Sequence, residues 1–560
     1  MNTGYKRFKD PIYGYIKVNE NIVKNIIDKP EFQRLRDVIQ TSYVPLYSSA
    51  LHNRFAHSLG VYHLGKIASQ AVKQSFENGE ELNADKDLLI NLDKFIEVFE
   101  LACLLHDVGH APFSHTGEQF YLNADSREEL HKELLGLFRD KNLKNEIKKN
   151  SYNAAPHEIM SSILALNIFK KSIPISLKSF FVRCITGYKH SEEMSRDKSL
   201  QNCLIELLNS KVIDVDKLDY LMRDSYMSGF DTVRIDYVRL LDSICVINDE
   251  KGFYKLCYHK AAVSILENVV YAHDAERKWL QNHPIVLYES HLIEKGMEQI
   301  LGAILKKNKF EKALLSQEGV QTEELGRIRL MGDSDILYLM KNLKNSEIVE
   351  EYFNRNKRKH PIWKTEEEFQ AIFSDRQKEL EIIEDIFDKL KTFLRSTGLP
   401  FVINADALGA VQSELNELKE EKQSLIDKGL KGSMEYRQIQ ANISDRENLL
   451  RLIKIFETFH KEQKIAFEFL VIYTKQFISG FRKQEFGNIE LRFPELKKPC
   501  CFGKVSNVLK ANESRAEKFF FLYYTSENTK VAVKKKISIT SLVQKLIAFA
   551  GEIDISLNLN

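Results

Sequence analysis

Eight of the fifteen histidines in this 560-residue chain fall between residues 52 and 157, where an even spread would place about three. They are His52, His57, His63, His106, His110, His115, His131 and His157. His106-Asp107 closes the run Phe95 to Leu105, FIEVFELACLL, which is apolar nearly all round and reads as a buried helix; Gly109 is expected to let the chain turn and Pro112 to stop it. A histidine and a carboxylate at the inner end of such a helix are costly to bury unless something pairs with them. A divalent cation does so, because neutral imidazole and carboxylate are its usual ligands. His57 shares a helix face with Val61 and Leu64, and Asp216 lies in IDVDKLDY, where acids alternate with apolar residues on a segment expected in the core. Taken singly, each is more often a hydrogen-bonded core histidine or a capping aspartate. Together His57, His106, Asp107 and Asp216 make a set that leaves room for water in an octahedral shell. That is a catalytic arrangement, since structural zinc prefers a closed set rich in cysteine.

Groups suited to phosphate chemistry lie nearby. Arg54 precedes His57 by three residues and offers a planar fork; Lys217 adjoins Asp216 and adds a point charge. His115 with Glu118, and His157 with Glu158, suit acid/base work, because a histidine oriented by a carboxylate can donate a proton to a leaving oxygen. His110 as a helix cap and His157 as a turn residue after Pro156 are the plainer readings, and both stay open.

The elements that must position these residues are mostly helical. Helical patterning dominates to about residue 395, after a short extended segment near Tyr13 to Val18 and with a small hairpin over 246–258. Residues 401–464 read as an inserted antiparallel helical hairpin, with Val411, Leu415, Leu418 and Leu425 on one arm and Ile439, Ile443, Leu450 and Ile453 on the other. A solvated structural arm or an oligomer contact is its plainer role. From 465 the texture is α/β, and residues 475–545 carry fifteen Lys/Arg against six Asp/Glu, so single-stranded nucleic acid is a conceivable partner there. The expected division is therefore a core over 1–400, the hairpin over 401–464 and a basic region over 465–560. With 81 Lys+Arg against 79 Asp+Glu, net charge gives no argument for nucleic acid or membrane over the whole chain. The absence of an apolar leader and of any 18-residue apolar run, with seven cysteines lacking C-x-x-C spacing, points to a reduced cytoplasmic protein without a membrane partner.

The ordered strings DPIYGYI, PEFQRLR, HNRFAHSLGV, HDVGHAPFSH and DVDKLDY followed by Arg223-Asp224 resemble the HD-domain dNTP triphosphohydrolases, which include bacterial dGTP triphosphohydrolases and the vertebrate SAM-and-HD-domain dNTPase. The resemblance covers roughly residues 8 to 240, with a weaker echo at Asp333 to Leu337, and leaves about ten residues ahead of it, so no SAM domain is expected. It implies a mostly α HD-domain core and metal ligation by His57, His106, Asp107 and Asp216. It further implies phosphate contacts from Arg54, His110 and Lys217, and acid/base roles for His115, Glu118 and His157. Family members carry Asp at the position of Glu118. Tyr220, Asp224 and Gln40 match residues around the deoxyribose, and Thr41 stands where the family has Leu. Asp28, Gln33 and Arg36 match residues that read a guanine at a regulatory site, and Tyr288 is a candidate for base stacking.

The reaction implied is hydrolysis of a deoxynucleoside triphosphate to deoxynucleoside and inorganic triphosphate. It would use a divalent metal (Fe, Mn, Zn or Ni are not distinguished by the ligand set), with Mg²⁺ on the substrate phosphates. GTP as an activator and a homotetramer or homohexamer follow from the same resemblance. Two rivals are a phosphodiesterase or nuclease using the same metal site, and a nucleotide-sensing scaffold that performs no chemistry. All four ligands being present argues against the scaffold.

Overall fold

The computed structural model describes residues 4–41, 46–78, 86–120, 126–149, 154–303, 317–322, 326–474, 483–496, 498–509, 519–525 and 538–558. The chain divides into two compact units, Met1–Val349 with Gln476–Arg515, and Glu350–Lys475 with Ala516–Asn560. The first holds every candidate site residue. It opens with a hairpin of β1 (Tyr5–Asp10) and β2 (Gly14–Asn19), paired from Tyr5↔Asn19 to Asp10↔Gly14. Asp10 Oδ1 accepts the Ile12 and Tyr13 amides, and Gly14 supplies the left-handed φ of +76° that closes the turn.

The core helices follow. α1 (Arg54–Asn78) and α2 (Lys86–Leu105) pack along one another, and the run FIEVFELACLL is buried over most of its circumference, as expected of it. α3 (Pro156–Ile168) starts on a proline, with Glu158 Oε2 accepting the Ala155 amide at 2.7 Å. Two further helices, α4 (Lys178–Thr186) and α5 (Arg196–Leu208), pack on α2. α6 (Val215–Ser228) is capped by Asp214, whose side chain accepts the Lys217 amide at 2.8 Å, and ends at Gly229 with φ +68°. It lies against α1 and carries Asp216 to His57.

The expected hairpin at 246–258 is present as β3 (Ile244–Asn248) and β4 (Tyr254–His259). Strand Glu490–Arg492 pairs parallel to β4 and Cys500–Cys501 pairs with that strand in turn. This pairing places 476–515 with the first unit. Composition along the chain reports local texture; a strand returning to a distant sheet leaves no mark in it.

In the second unit the hairpin is formed by two long helices, α7 (Ala405–Asp427) and α8 (Met434–Gln463), joined through Gly429 with φ +75°. Val411, Leu415, Leu418, Leu425, Ile439, Ile443, Leu450 and Ile453 are all buried. The distal half of α8 is more than an arm: Phe456 and Phe459 pack on Phe469 of strand Glu468–Tyr473, the centre of a sheet with Val402–Asn404, Phe520–Tyr524 and His360–Pro361. Trp363 is fully buried there and donates Nε1–H to the Phe520 carbonyl at 2.8 Å. Much of the basic stretch, at 475–482, 510–518 and 526–537, lies outside the described residues, and with it the nucleic-acid expectation. No helix among the described residues is long and apolar enough to cross a membrane, and all seven cysteines are unbridged.

Candidate active site

α1 begins where Asn53 Oδ1 accepts the Ala56 amide at 3.1 Å, and this cap sets Arg54 and His57 on the first turn. His57 is fully buried, and His106 follows directly on the last turn of α2. The His57 Nδ1–H donates to Asp219 Oδ2 at 2.7 Å and the His106 Nδ1–H to the Cys103 carbonyl at 2.9 Å, since neither oxygen can donate. Both Nε2 lone pairs are thereby turned toward each other, 3.3 Å apart. Asp216 Oδ1 lies 2.9 Å from His57 Nε2 and 3.5 Å from His106 Nε2; Asp107 presents its oxygens at 3.5 and 3.3 Å from the same two atoms. Two facing lone pairs ringed by carboxylates repel unless a cation lies between them. His57, His106 and Asp107 thus fit a divalent metal, with Asp216 Oδ1 close to both rings and the second ring nitrogens held as metal-bound histidines require. Against its burial, the Asp216 and Asp219 carboxylates favour a proton on the His57 ring when no ion lies between the rings, and a metal at Nε2 would take that proton's place.

The loop after His106-Asp107 is shaped by contacts. Gly109 does not take a left-handed φ; a Cβ there would stand 2.3 Å from the Ser161 amide nitrogen of α3, so the residue serves close approach. The left-handed residues are Phe113 (φ 56°) and Ser114 (φ 52°). Asp333, from the weaker echo in the sequence, holds this strained pair by accepting the Phe113 amide at 2.6 Å and the Ile39 amide at 2.8 Å.

The second histidine group gathers on one carboxylate oxygen. Glu118 Oε1 lies 2.7 Å from His115 Nδ1, 3.0 Å from His157 Nδ1 and 3.2 Å from His110 Nδ1, so this longer side chain reaches all three rings. His110 stacks on His157 with centroids 4.0 Å apart and turns its Nε2 to Asp107 Oδ1 at 3.2 Å, joining the two clusters. His115 alone of the four is exposed, with 45% of its side chain open to solvent. Burial opposes charge on His157, yet the Glu118 carboxylate raises its pKa to about 9.

The other expected residues divide. Arg54 is buried and committed within the chain: Nη1 donates to Asp107 Oδ2 at 2.7 Å and Nε to Ser114 Oγ at 2.9 Å. Burial opposes the charge of Asp107, and Arg54 with the neighbouring rings holds that carboxyl well below its ordinary range. Lys217 donates to Asp214 Oδ2 at 2.7 Å and to the Ser210 carbonyl at 2.8 Å. Both cations are thus spent on the scaffold of the site here. Asp224 is buried against His52, whose Nε2 donates to Asp224 Oδ1 at 2.7 Å; His52 had no role in the sequence reading. Gln40 joins this wall through its amide, which donates to the His52 carbonyl at 3.0 Å, and its buried Oε1 and the Thr41 Oγ1 make no hydrogen bond among the described residues. Tyr220 lies half-buried on α6, between Asp216 and Asp224. Tyr288 is buried beside His291, with ring centroids 6.4 Å apart. Asp28, Gln33 and Arg36 form a separate surface: Arg36 donates to Gln33 Oε1 at 2.9 Å and lies over the Phe55 ring at 3.5 Å, while Asp28 faces Lys6 at 3.9 Å.

Comparison with known proteins adds the following. Residues 54–179 match the family model of the HD domain. The chain is 26% identical over 336 residues to an uncharacterised protein, MG461, of Mycoplasma genitalium, covering 55% of this chain and 68% of that one. It is 29% identical over 332 residues to human deoxynucleoside triphosphate triphosphohydrolase SAMHD1, covering 56% of this chain and 48% of that enzyme, and 30% identical over 270 residues to the mouse enzyme, covering 45% and 37%. The chain thus spans half or less of the length of these two triphosphohydrolases. Among solved structures, a phosphohydrolase from Bacteroides thetaiotaomicron shares the fold at a TM-score of 0.52 and 17% identity, over 93% of this chain and 99% of that one.

Proposed function

The chain carries an HD domain similar to that of the dNTP triphosphohydrolases, and from that premise we propose that it hydrolyses a deoxynucleoside triphosphate to deoxynucleoside and inorganic triphosphate. The observation that carries this reading is the junction of two clusters. A cation site of His57, His106 and Asp107 with Asp216 lies beside a second group, Glu118 with His110, His115 and His157, which His110 brings within 3.2 Å of Asp107 and of which only His115 is exposed. A divalent ion at the first cluster would polarise a phosphoryl oxygen and lower the pKa of water.

The protein's own groups do the rest. Arg54 fixes Asp107 toward the His57 and His106 nitrogens. Water attacks the α-phosphorus and releases a proton to solvent; the bond to the 5′ oxygen breaks, and that oxygen takes a proton from His115, which Glu118 and His157 resupply. Asp224, oriented by His52, and Tyr220 meet the sugar, with Gln40 beside them. Mg²⁺ on the phosphates, activation by GTP at Asp28, Gln33 and Arg36, a homo-oligomer and a cytoplasmic location complete the reading.

The test is to incubate the full chain with Mn²⁺ and each of the four dNTPs and four NTPs, with and without GTP, and to separate products by anion exchange. Inorganic triphosphate with deoxynucleoside is expected. A 5′-monophosphate as the product would instead favour the phosphodiesterase or nuclease, and no turnover of any nucleotide the scaffold.

A further inference from the structure

Asp219 has no part in the chemistry above, yet a buried network converges on it. Its carboxylate is fully buried and each oxygen takes two donors. Oδ2 accepts from His57 Nδ1 at 2.7 Å and Arg223 Nε at 2.8 Å; Oδ1 accepts from the Tyr13 hydroxyl at 2.7 Å and Arg223 Nη2 at 3.0 Å. Arg223, 1% exposed, spends its remaining terminal nitrogen on Asp10 Oδ2 at 2.9 Å, and the other Asp10 oxygen closes the β1–β2 turn. α1 approaches this point through Gly60, where a Cβ would stand 1.8 Å from Asp219 Oδ1.

A carboxylate with its acceptor positions filled cannot rotate, and it can take the His57 Nδ1 only as a protonated donor. We propose that Asp219 is a positioning residue that locks His57 with its Nε2 lone pair on the metal side, and that the β1–β2 hairpin sets metal affinity through Tyr13 and Asp10. A buried Asp-Arg pair serving stability alone would need no bond to the ring of a ligand, and the hairpin would need no side chain reaching it. This inference rests on the metal site of the proposed function and is independent of which nucleotide is cleaved.

The experiment measures Mn²⁺ binding to the full chain without nucleotide, by the electron paramagnetic resonance signal of the free ion, in wild type, Asp219→Asn, Tyr13→Phe and Asp10→Asn. Asp219→Asn keeps the shape of the side chain but supplies an N–H where only acceptors fit, and is expected to weaken binding about 10- to 100-fold. Tyr13→Phe, which keeps the ring packing on His63 and Tyr237, and Asp10→Asn are expected to weaken it several-fold with native circular dichroism. Nitrogen-15 NMR of the wild-type ring should show His57 protonated at Nδ1 with Mg²⁺ present. Wild-type Mn²⁺ affinity in a folded Asp219→Asn overturns the proposal; should that variant not fold, wild-type affinity in both hairpin variants overturns it. A chain that binds Mn²⁺ normally but releases no triphosphate fails the proposed reaction and leaves this inference standing.

Discussion

His115 is the one member of its group that a substrate can reach, and the expectation at this scale follows from that exposure. His115→Ala should lower kcat about 10²- to 10⁴-fold, the usual worth of a general acid, with little change in KM. Steady-state kinetics on the preferred dNTP checks it. His52 should behave differently, because it touches Asp224 and not the phosphates. His52→Ala leaves a buried carboxylate without its donor and is expected to raise KM about 5- to 30-fold, equivalent to ~1–2 kcal/mol, more than it lowers kcat. The residue scale is also where sequence was most informative. His106-Asp107 at the end of an apolar helix could be read directly, because burying two such groups has few physical solutions. His52, Asp219 and Asp333 could not be assigned: each acts through a partner more than 70 positions away, at Asp224, His57 and Phe113, and one chain without its fold does not show such pairs.

At the scale of elements, α1 and α2 carry His57 and His106 and must keep a fixed spacing. Glu100 of α2 lies near Lys66 of α1; burial pushes its carboxyl up to about 7, with Lys66 opposing and Glu97 adding. The folded chain therefore holds this proton more tightly than the unfolded one. The stabilisation is complete below about pH 4.5 and is lost as pH rises toward 7. Glu100→Gln is expected to raise Tm at pH 8 by roughly 2 °C or more and to leave it nearly unchanged at pH 4.5, as read by calorimetry. Gly109→Ala tests the approach of the loop to α3: a Cβ 2.3 Å from the Ser161 nitrogen forces the backbone to move. A loss of about 1–3 kcal/mol in denaturant unfolding is expected. The helical elements themselves were legible from apolar periodicity, including both arms of the hairpin, whose stripe residues are all buried, with Leu449 and Leu452 joining them. What periodicity could not show was that Phe456 and Phe459 extend that stripe into the core of a sheet whose strands lie up to about 160 positions apart.

For the whole molecule, the near balance of 81 basic against 79 acidic residues conceals a basic stretch late in the chain. If single-stranded nucleic acid were the substrate, binding would fall steeply with salt as counterions are released. The triphosphohydrolase reading instead expects single-stranded DNA to stay uncut under conditions where a dNTP is consumed. The central claim, that water attacks the α-phosphorus of a dNTP and expels the deoxynucleoside, is tested most directly by running the reaction with Mn²⁺ in ¹⁸O-labelled water and weighing both products. The account predicts one ¹⁸O in the inorganic triphosphate and none in the deoxynucleoside; label in a deoxynucleoside monophosphate, or in the deoxynucleoside itself, would contradict it.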